Sequence, residues 1–123
     1  MNVTRFANAP PYSAPNHENM RMVRLQGHEA GPAESLWLGV STIAPGGHTD
    51  LRGSGVEKHY VVLQGEVTMV ARMPEGPMEE QTLRALDSCR IAPHEARQLI
   101  NRGSEPAMVL LAMPFDNDKR RSP

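Results

Sequence analysis

The chain has 123 residues, of which 39% are hydrophobic and 22% charged, with a formal net charge of -1 and a pI near 6.5. That length suits one domain and is too short for two independent cores, while the composition is too apolar for global disorder. A nearly neutral chain has no overall field to draw nucleic acid or an anionic membrane surface, so neither is expected as a partner.

Residues 1–19 carry Pro10, Pro11 and Pro15 among Asn and Ser, a composition that favours extended, loosely packed chain, and they are expected to form a flexible arm. This stretch lacks the apolar run of a signal peptide, and no later apolar run reaches the roughly 18 residues of a membrane span. Cys89 is the single cysteine and has no partner for an internal disulfide, so a cytoplasmic protein is expected. From Met20 to Pro114 short apolar stretches alternate with turn residues: MRMVRL, ESLWLGVSTIAP, KHYVVLQ, EVTMVARM, QTLRAL, SCRIAP, ARQLIN and PAMVLLAMP. Val, Ile, Thr and Tyr dominate several of them, and Pro45-Gly46-Gly47, Gly65, Pro74-Glu75-Gly76-Pro77 and Gly103 separate them. Many short strands at near-regular spacing predict an all-β sandwich or barrel over 20–114, because a sheet removes its edges by closing. Residues 115–123, with the basic run Lys119-Arg120-Arg121, are expected to be a mobile, solvated tail.

From Pro45-Gly46 the sequence resembles the cupin superfamily. Its first motif runs Gly, five residues, His-x-His, three or four residues, Glu, six residues, Gly. Counted from Gly46, those positions fall on Arg52, Ser54, Lys58 and Gly65, so the spacing is kept and only the two glycines match by identity. The second motif aligns with Leu86 through Asn101: Ala92 and His94 replace its Pro and Gly, Arg97 replaces its His, and Asn101 is retained. The stretches YVVLQGEVTM and NRGSEPAMVLLAMP are also similar to the strands that flank cupin motifs, and the resemblance spans about residues 34–114. It implies a jelly-roll β-barrel with a pocket inside one end, and often a homodimer.

Cupin metal sites use imidazoles and a carboxylate because these donate lone pairs, whereas guanidinium and ammonium groups have none to give. Arg52, Lys58 and Arg97 therefore do not suit a metal, and three converging cations call for something negative among them. Arginine offers a fork for a carboxylate, and lysine a point charge that can polarise a carbonyl or titrate when buried. The expected ligand is a small organic acid, bound by Arg52, Ser54 and Arg97 without a cofactor. Side chains alternate along a strand, so Asp50 and His48 should share the face of Arg52, and Tyr60 that of Lys58. Lys58, His48, Asp50 and Tyr60 are then the candidate acids and bases for a lyase, decarboxylase or isomerase.

Two other functions compete. A non-catalytic cupin could sense or buffer the same kind of anion with Arg52, Lys58 and Arg97 as clamps. A metal-dependent oxygenase or isomerase could use displaced ligands His48, His59 and His94, provided that a β-bulge near Lys58 turns His59 inward together with Glu57. Plainer roles stand beside these: solvent exposure for Arg52, an ion pair with Glu57 or Glu95 for Arg97, ordinary packing for Tyr60 and Cys89, and gap-filling in the core or a dimer interface for the methionines. Gly53-Ser54-Gly55 is neither a nucleophile elbow nor a phosphate loop, and one Trp, two Phe and two Tyr make no platform for single-stranded nucleic acid.

Overall fold

A computed structural model describes residues 1–115. Nine strands follow one another: β1 (Pro11–Tyr12), β2 (His17–Gln26), β3 (Leu36–Thr49), β4 (Lys58–Gln64), β5 (Glu66–Arg72), β6 (Glu79–Arg84), β7 (Ser88–Ile91), β8 (Ala96–Ile100) and β9 (Ala107–Pro114). Two single turns of 3-10 helix, Phe6–Asn8 and His28–Ala30, are the helical elements among the described residues. Every apolar stretch singled out between Met20 and Pro114 lies wholly or mostly in one of these strands. None of the described helices is long and apolar enough to cross a membrane.

All described pairings are antiparallel, and the hydrogen-bonded order is β6-β5-β8-β3-β9-β4-β7, with β2 added on the other edge of β3 and β1 on β2. The 14-residue β3 organises the sheet: its first part pairs β9 from Leu36↔Pro114 to Ile43↔Ala107, and its end passes to β8 at His48↔Ile100. A strand this long bends to serve two neighbours, and so the sheet rolls into a nearly closed barrel.

Inward-facing residues from six strands fill one part of the barrel: Ile43, Tyr60, Val62, Val67, Met69, Ile91, Leu99, Ala107 and Val109. Strand β4 shows the alternation that builds it, with Lys58, Tyr60 and Val62 buried and His59 exposed. Gly65 joins β4 to β5 at φ +77°, and a Cβ there would lie 3.0 Å from the Pro106 carbonyl oxygen. Turn conformation and close approach together explain a glycine at the end of the first motif. Gly46, at φ +82°, has nothing within 4 Å, so its backbone angle alone favours glycine.

The retained Asn101 closes the last turn. Its Nδ2 donates to the carbonyls of Ile43 and Glu105, both at 2.8 Å, and its Oδ1 accepts from Gly103 N at 2.9 Å, with 1% of the residue exposed. One side chain thus ties β3 to the turn entering β9. Removing it strands the buried Ile43 carbonyl and releases two part-buried backbone groups, a cost well above that of an ordinary surface change.

Residues 1–19, expected as a flexible arm, contain the 3-10 turn Phe6–Asn8, strand β1 and the start of β2, and contact the barrel. Pro11–Tyr12 pairs with β2 at Val23 and Met22, and the Asn2 amide donates to Gln26 Oε1 and the Ala30 carbonyl. Proline removed donors without removing the acceptors and side chains that make these contacts. Of the expected mobile tail, 115–123, residues 116–123 lie outside the described residues, and Phe115 packs edge-on against His28 at 4.9 Å.

Asn101→Ala is expected to destabilise the protein by about 3 kcal/mol, read as a lower urea midpoint at unchanged slope. A loss under about 0.5 kcal/mol would show that water replaces these bonds and that the asparagine does not anchor the turn.

Candidate functional site

A cavity of about 670 Å³ opens at one end of the barrel. Its polar wall holds Asp50, Arg52, Ser54, Lys58 and Arg97 together with Asn16 and His17, and its other wall is built by Tyr12, Arg24, Trp37, Leu111, Met113 and Phe115. Four positions that the cupin motifs reserve for metal ligands therefore meet in one space, carrying three cations and a hydroxyl.

The backbone holds Arg52 and Arg97 opposite each other. Arg52 N donates to the Arg97 carbonyl at 3.0 Å and Arg97 N to the Arg52 carbonyl at 2.8 Å, forming an isolated antiparallel bridge. In such a reciprocal pair the two side chains leave on the same face of the ladder, and like charges placed so repel. Among the described residues no carboxylate forms an ion pair with either guanidinium. Thr49 fixes the frame beside them: its Oγ1 accepts from Leu99 N at 3.0 Å and its carbonyl accepts from Gln98 Nε2 at 2.9 Å.

Arg97 is aimed by Tyr60. Its Nε donates to the Tyr60 hydroxyl at 2.8 Å and one terminal nitrogen reaches the Asp50 carbonyl at 3.4 Å, leaving the end of the fork toward the cavity. Tyr60 belongs to the core and does not line the cavity; burial pushes its phenol pKa up, while the positive charge of Arg97 works against that rise. It supports the arginine from beneath, a different place from the expected acid–base role inside the pocket. Lys58, 6% exposed at the start of β4, donates from Nζ to Ser54 Oγ at 2.6 Å. Asp50 and Arg52 are exposed at the rim, linked by the Asn16 amide, which in its satisfied orientation donates to Asp50 Oδ2 at 3.2 Å and accepts from Arg52 Nε at 3.0 Å.

His48 departs from the expectation. It does not line the cavity, and its Nδ1 contacts the Thr49 carbonyl at 3.1 Å. Alternation carries a side chain to the same face only while the strand continues, and β3 stops at Thr49. His59 is exposed and bonded through Nε2 to Glu57 Oε1 at 2.8 Å, with Arg90 on the other oxygen of that carboxylate. Both neighbours lower the Glu57 pKa, His59 most. The β4–β7 register runs unbroken from Lys58↔Ile91 to Val61↔Ser88, so no bulge turns His59 inward. His94 occupies an exposed turn at φ +69°. Among the described residues no three His, Cys, Asp or Glu side chains gather into a group suited to a metal ion, and His48, His59 and His94 are not brought together. Glu95 caps Ala92 N at 2.9 Å, so neither Glu57 nor Glu95 pairs with Arg97.

The sequence reading missed the far wall and the His17 segment. Arg24 lies between two rings, its guanidinium carbon 3.5 Å from the Tyr12 centroid and 4.2 Å from that of Trp37, and its Nε donates to Glu29 at 2.9 Å. Tyr12 stands edge-on to Trp37 at 5.9 Å. Arg24, Tyr12 and Trp37 lie far apart in sequence with no motif spacing, so only pairing of β1 and β3 onto β2 assembles them.

A second, smaller cleft of about 380 Å³ lies between the edge strands β6 and β7 and includes Cys89. Burial pushes that thiol up to about 11, with the Glu95 charge adding to it, which fits an inert packing cysteine.

A barrel of this topology, with the two motifs placed at one cavity mouth, defines a cupin. No protein-family model matches the sequence. The chain is 38% identical over 113 residues to β-D-galactosidase Rv1717 of Mycobacterium tuberculosis, covering 92% of this chain and 93% of that protein, and it belongs to the cupin superfamily. A predicted oxalate decarboxylase from Thermotoga maritima superposes with a TM-score of 0.74 at 21% identity, over 94% of this chain and 99% of that one. A cupin 2 domain-containing protein from Halorhodospira halophila superposes with a TM-score of 0.71 at 26% identity, over 80% of this chain and 66% of that one.

At pH 8 alkylation of Cys89 by iodoacetamide is expected to be on the order of a hundredfold slower than that of an unperturbed thiol, because far less thiolate is present. Mass spectrometry of timed samples measures this; a rate near that of free cysteine would place the thiol in open water.

Proposed function

We propose that this cupin is a metal-independent enzyme that binds a small carboxylated metabolite at the mouth of its barrel and moves protons on it, as a lyase, decarboxylase or isomerase. The observation that carries the reading is the Arg52–Arg97 bridge, which holds two like charges side by side in a cavity that Lys58 also lines. A bound carboxylate offsets their repulsion and accepts hydrogen bonds from the ends of their forks. The donor set argues for chemistry without a resident metal, since arginine and lysine offer a cation no lone pairs. Enzyme names among the relative and the structural neighbours support catalysis over mere binding.

The roles follow from the placement. Arg97, aimed by Tyr60, and Arg52 at the rim orient the ligand carboxylate. Lys58 stands deepest, where its ammonium can hold a developing enolate or oxyanion. Asp50, at the rim, is the carboxylate available to relay protons to solvent. Arg97→Gln is expected to weaken binding of oxalate or pyruvate by about 30- to 100-fold, measured by calorimetry. For a turned-over substrate, Lys58→Met should lower kcat by a factor on the order of 100 or more while changing affinity less than about tenfold. Affinity unchanged in Arg97→Gln would refute the clamp.

A second reading is favoured by the name of the 38% identical relative: cleavage of a β-galactoside. Glycoside hydrolysis usually employs two carboxyl groups flanking the bond, and Asp50 is the one carboxylate lining the cavity among the described residues. Release of nitrophenol from nitrophenyl β-D-galactoside, lost in Asp50→Asn, would favour this reading over the first.

A further inference from the structure

Resting on the anion-binding reading of the cavity, we propose that His17 is its proton-accepting side chain: when a carboxylate enters between Arg52 and Arg97, the imidazole takes a proton from solvent at Nε2 and donates it as a hydrogen bond to the ligand.

The tautomer is set by the backbone. His17 Nδ1 lies 2.7 Å from the Pro15 carbonyl oxygen, which can only accept, so Nδ1 carries the hydrogen and the neutral ring keeps its lone pair at Nε2. Among the described residues Nε2 has no hydrogen-bond partner, yet no buried side-chain nitrogen or oxygen is left unsatisfied. His17 is one of the residues that line the cavity. A neutral histidine in this lining, with one ring nitrogen unpartnered, is a base available to whatever occupies the pocket.

Its position relative to the arginines is fixed from three sides. His17 pairs with Thr49 at the start of β2, Asp50 N donates to the Asn16 carbonyl at 3.0 Å, and the Asn16 amide bridges Asp50 and Arg52. The charged and titratable groups around the cavity are Asp50 and Arg52 from the segment after β3, Lys58 from β4 and Arg97 from β8. From the opposite wall come Tyr12, His28, and Arg24 held by Glu29, while Glu18, next to His17 on β2, is exposed.

This surrounding is predominantly cationic. Burial lowers the His17 pKa first of all and the Arg97 charge lowers it further, against the raising effects of the Pro15 hydrogen bond and the Asp50 charge. The ring is therefore neutral near pH 7 in the empty pocket. An anion on Arg97 cancels the repulsion that opposed the imidazolium and supplies an acceptor for Nε2–H, so the bound-state pKa lies above the free one. Between the two values binding takes up a proton, and affinity rises as pH falls through that window.

The test is calorimetric titration of the full chain with oxalate and with pyruvate near pH 7, in two buffers of different ionisation enthalpy; both acids stay ionised there. The expected result is uptake of about 0.3 to 1 proton per acid bound. In His17→Gln the uptake should fall close to zero while affinity drops less than about tenfold and the thermal midpoint stays put. In the wild type, ring nitrogen NMR should show the hydrogen on Nδ1. Binding without uptake, or uptake that persists in His17→Gln, overturns the role of His17 and leaves the anion pocket standing. Failure of both acids to bind at millimolar concentration overturns the pocket reading itself, and this inference with it.

Discussion

Two arginines facing each other across a single antiparallel bridge set the terms for the rest of this molecule. Arg52 and Arg97 exchange backbone hydrogen bonds, and that exchange turns both guanidinium groups into one cavity. Like charges in such a pair raise the energy of the empty pocket, and the surrounding groups divide the load. Tyr60 takes one donor of Arg97, Asn16 takes one donor of Arg52, and Ser54 takes one from Lys58. The two guanidinium groups keep further donors for a ligand in the cavity they line.

The same frame explains why the fold tolerates the loss of every usual metal ligand. Barrel closure depends on β3 passing from β9 to β8, on the turn geometry at Gly65 and on the Asn101 anchor, and none of these involves the four exchanged positions. The apolar cluster adjoins the cavity through Leu111, which packs on the cluster and lines the cavity, and through Tyr60, which holds Arg97. Stability and chemistry are built on neighbouring layers, so residues of the cavity can change character while the barrel stays closed.

The residues that lie close in sequence were the ones legible from it. Lys58 opens the strong strand β4, and its inward direction together with that of Tyr60 came from simple alternation. Arg52, Ser54 and Arg97 were found by motif spacing and do line the cavity. His48 failed the same argument because β3 ends one residue after it, and parity has no meaning across a break. Tyr60 was correctly turned inward but sits under Arg97 rather than in the pocket, a difference of depth that alternation does not carry.

By itself, then, the amino-acid sequence determined an all-β barrel of the cupin kind, the positions of its turns, and a set of cations where lone-pair donors usually stand. These follow from local properties: β-branched alternation, glycine at positive φ, and fixed spacing along one strand or turn. Tertiary structure alone decided that the proline-rich first residues close one side of the pocket, that His17 joins the arginines, and that Arg24 slides between Tyr12 and Trp37. Those contacts join segments far apart in the chain through strand pairing, and pairing partners are chosen by the geometry of the whole sheet rather than by any stretch of it.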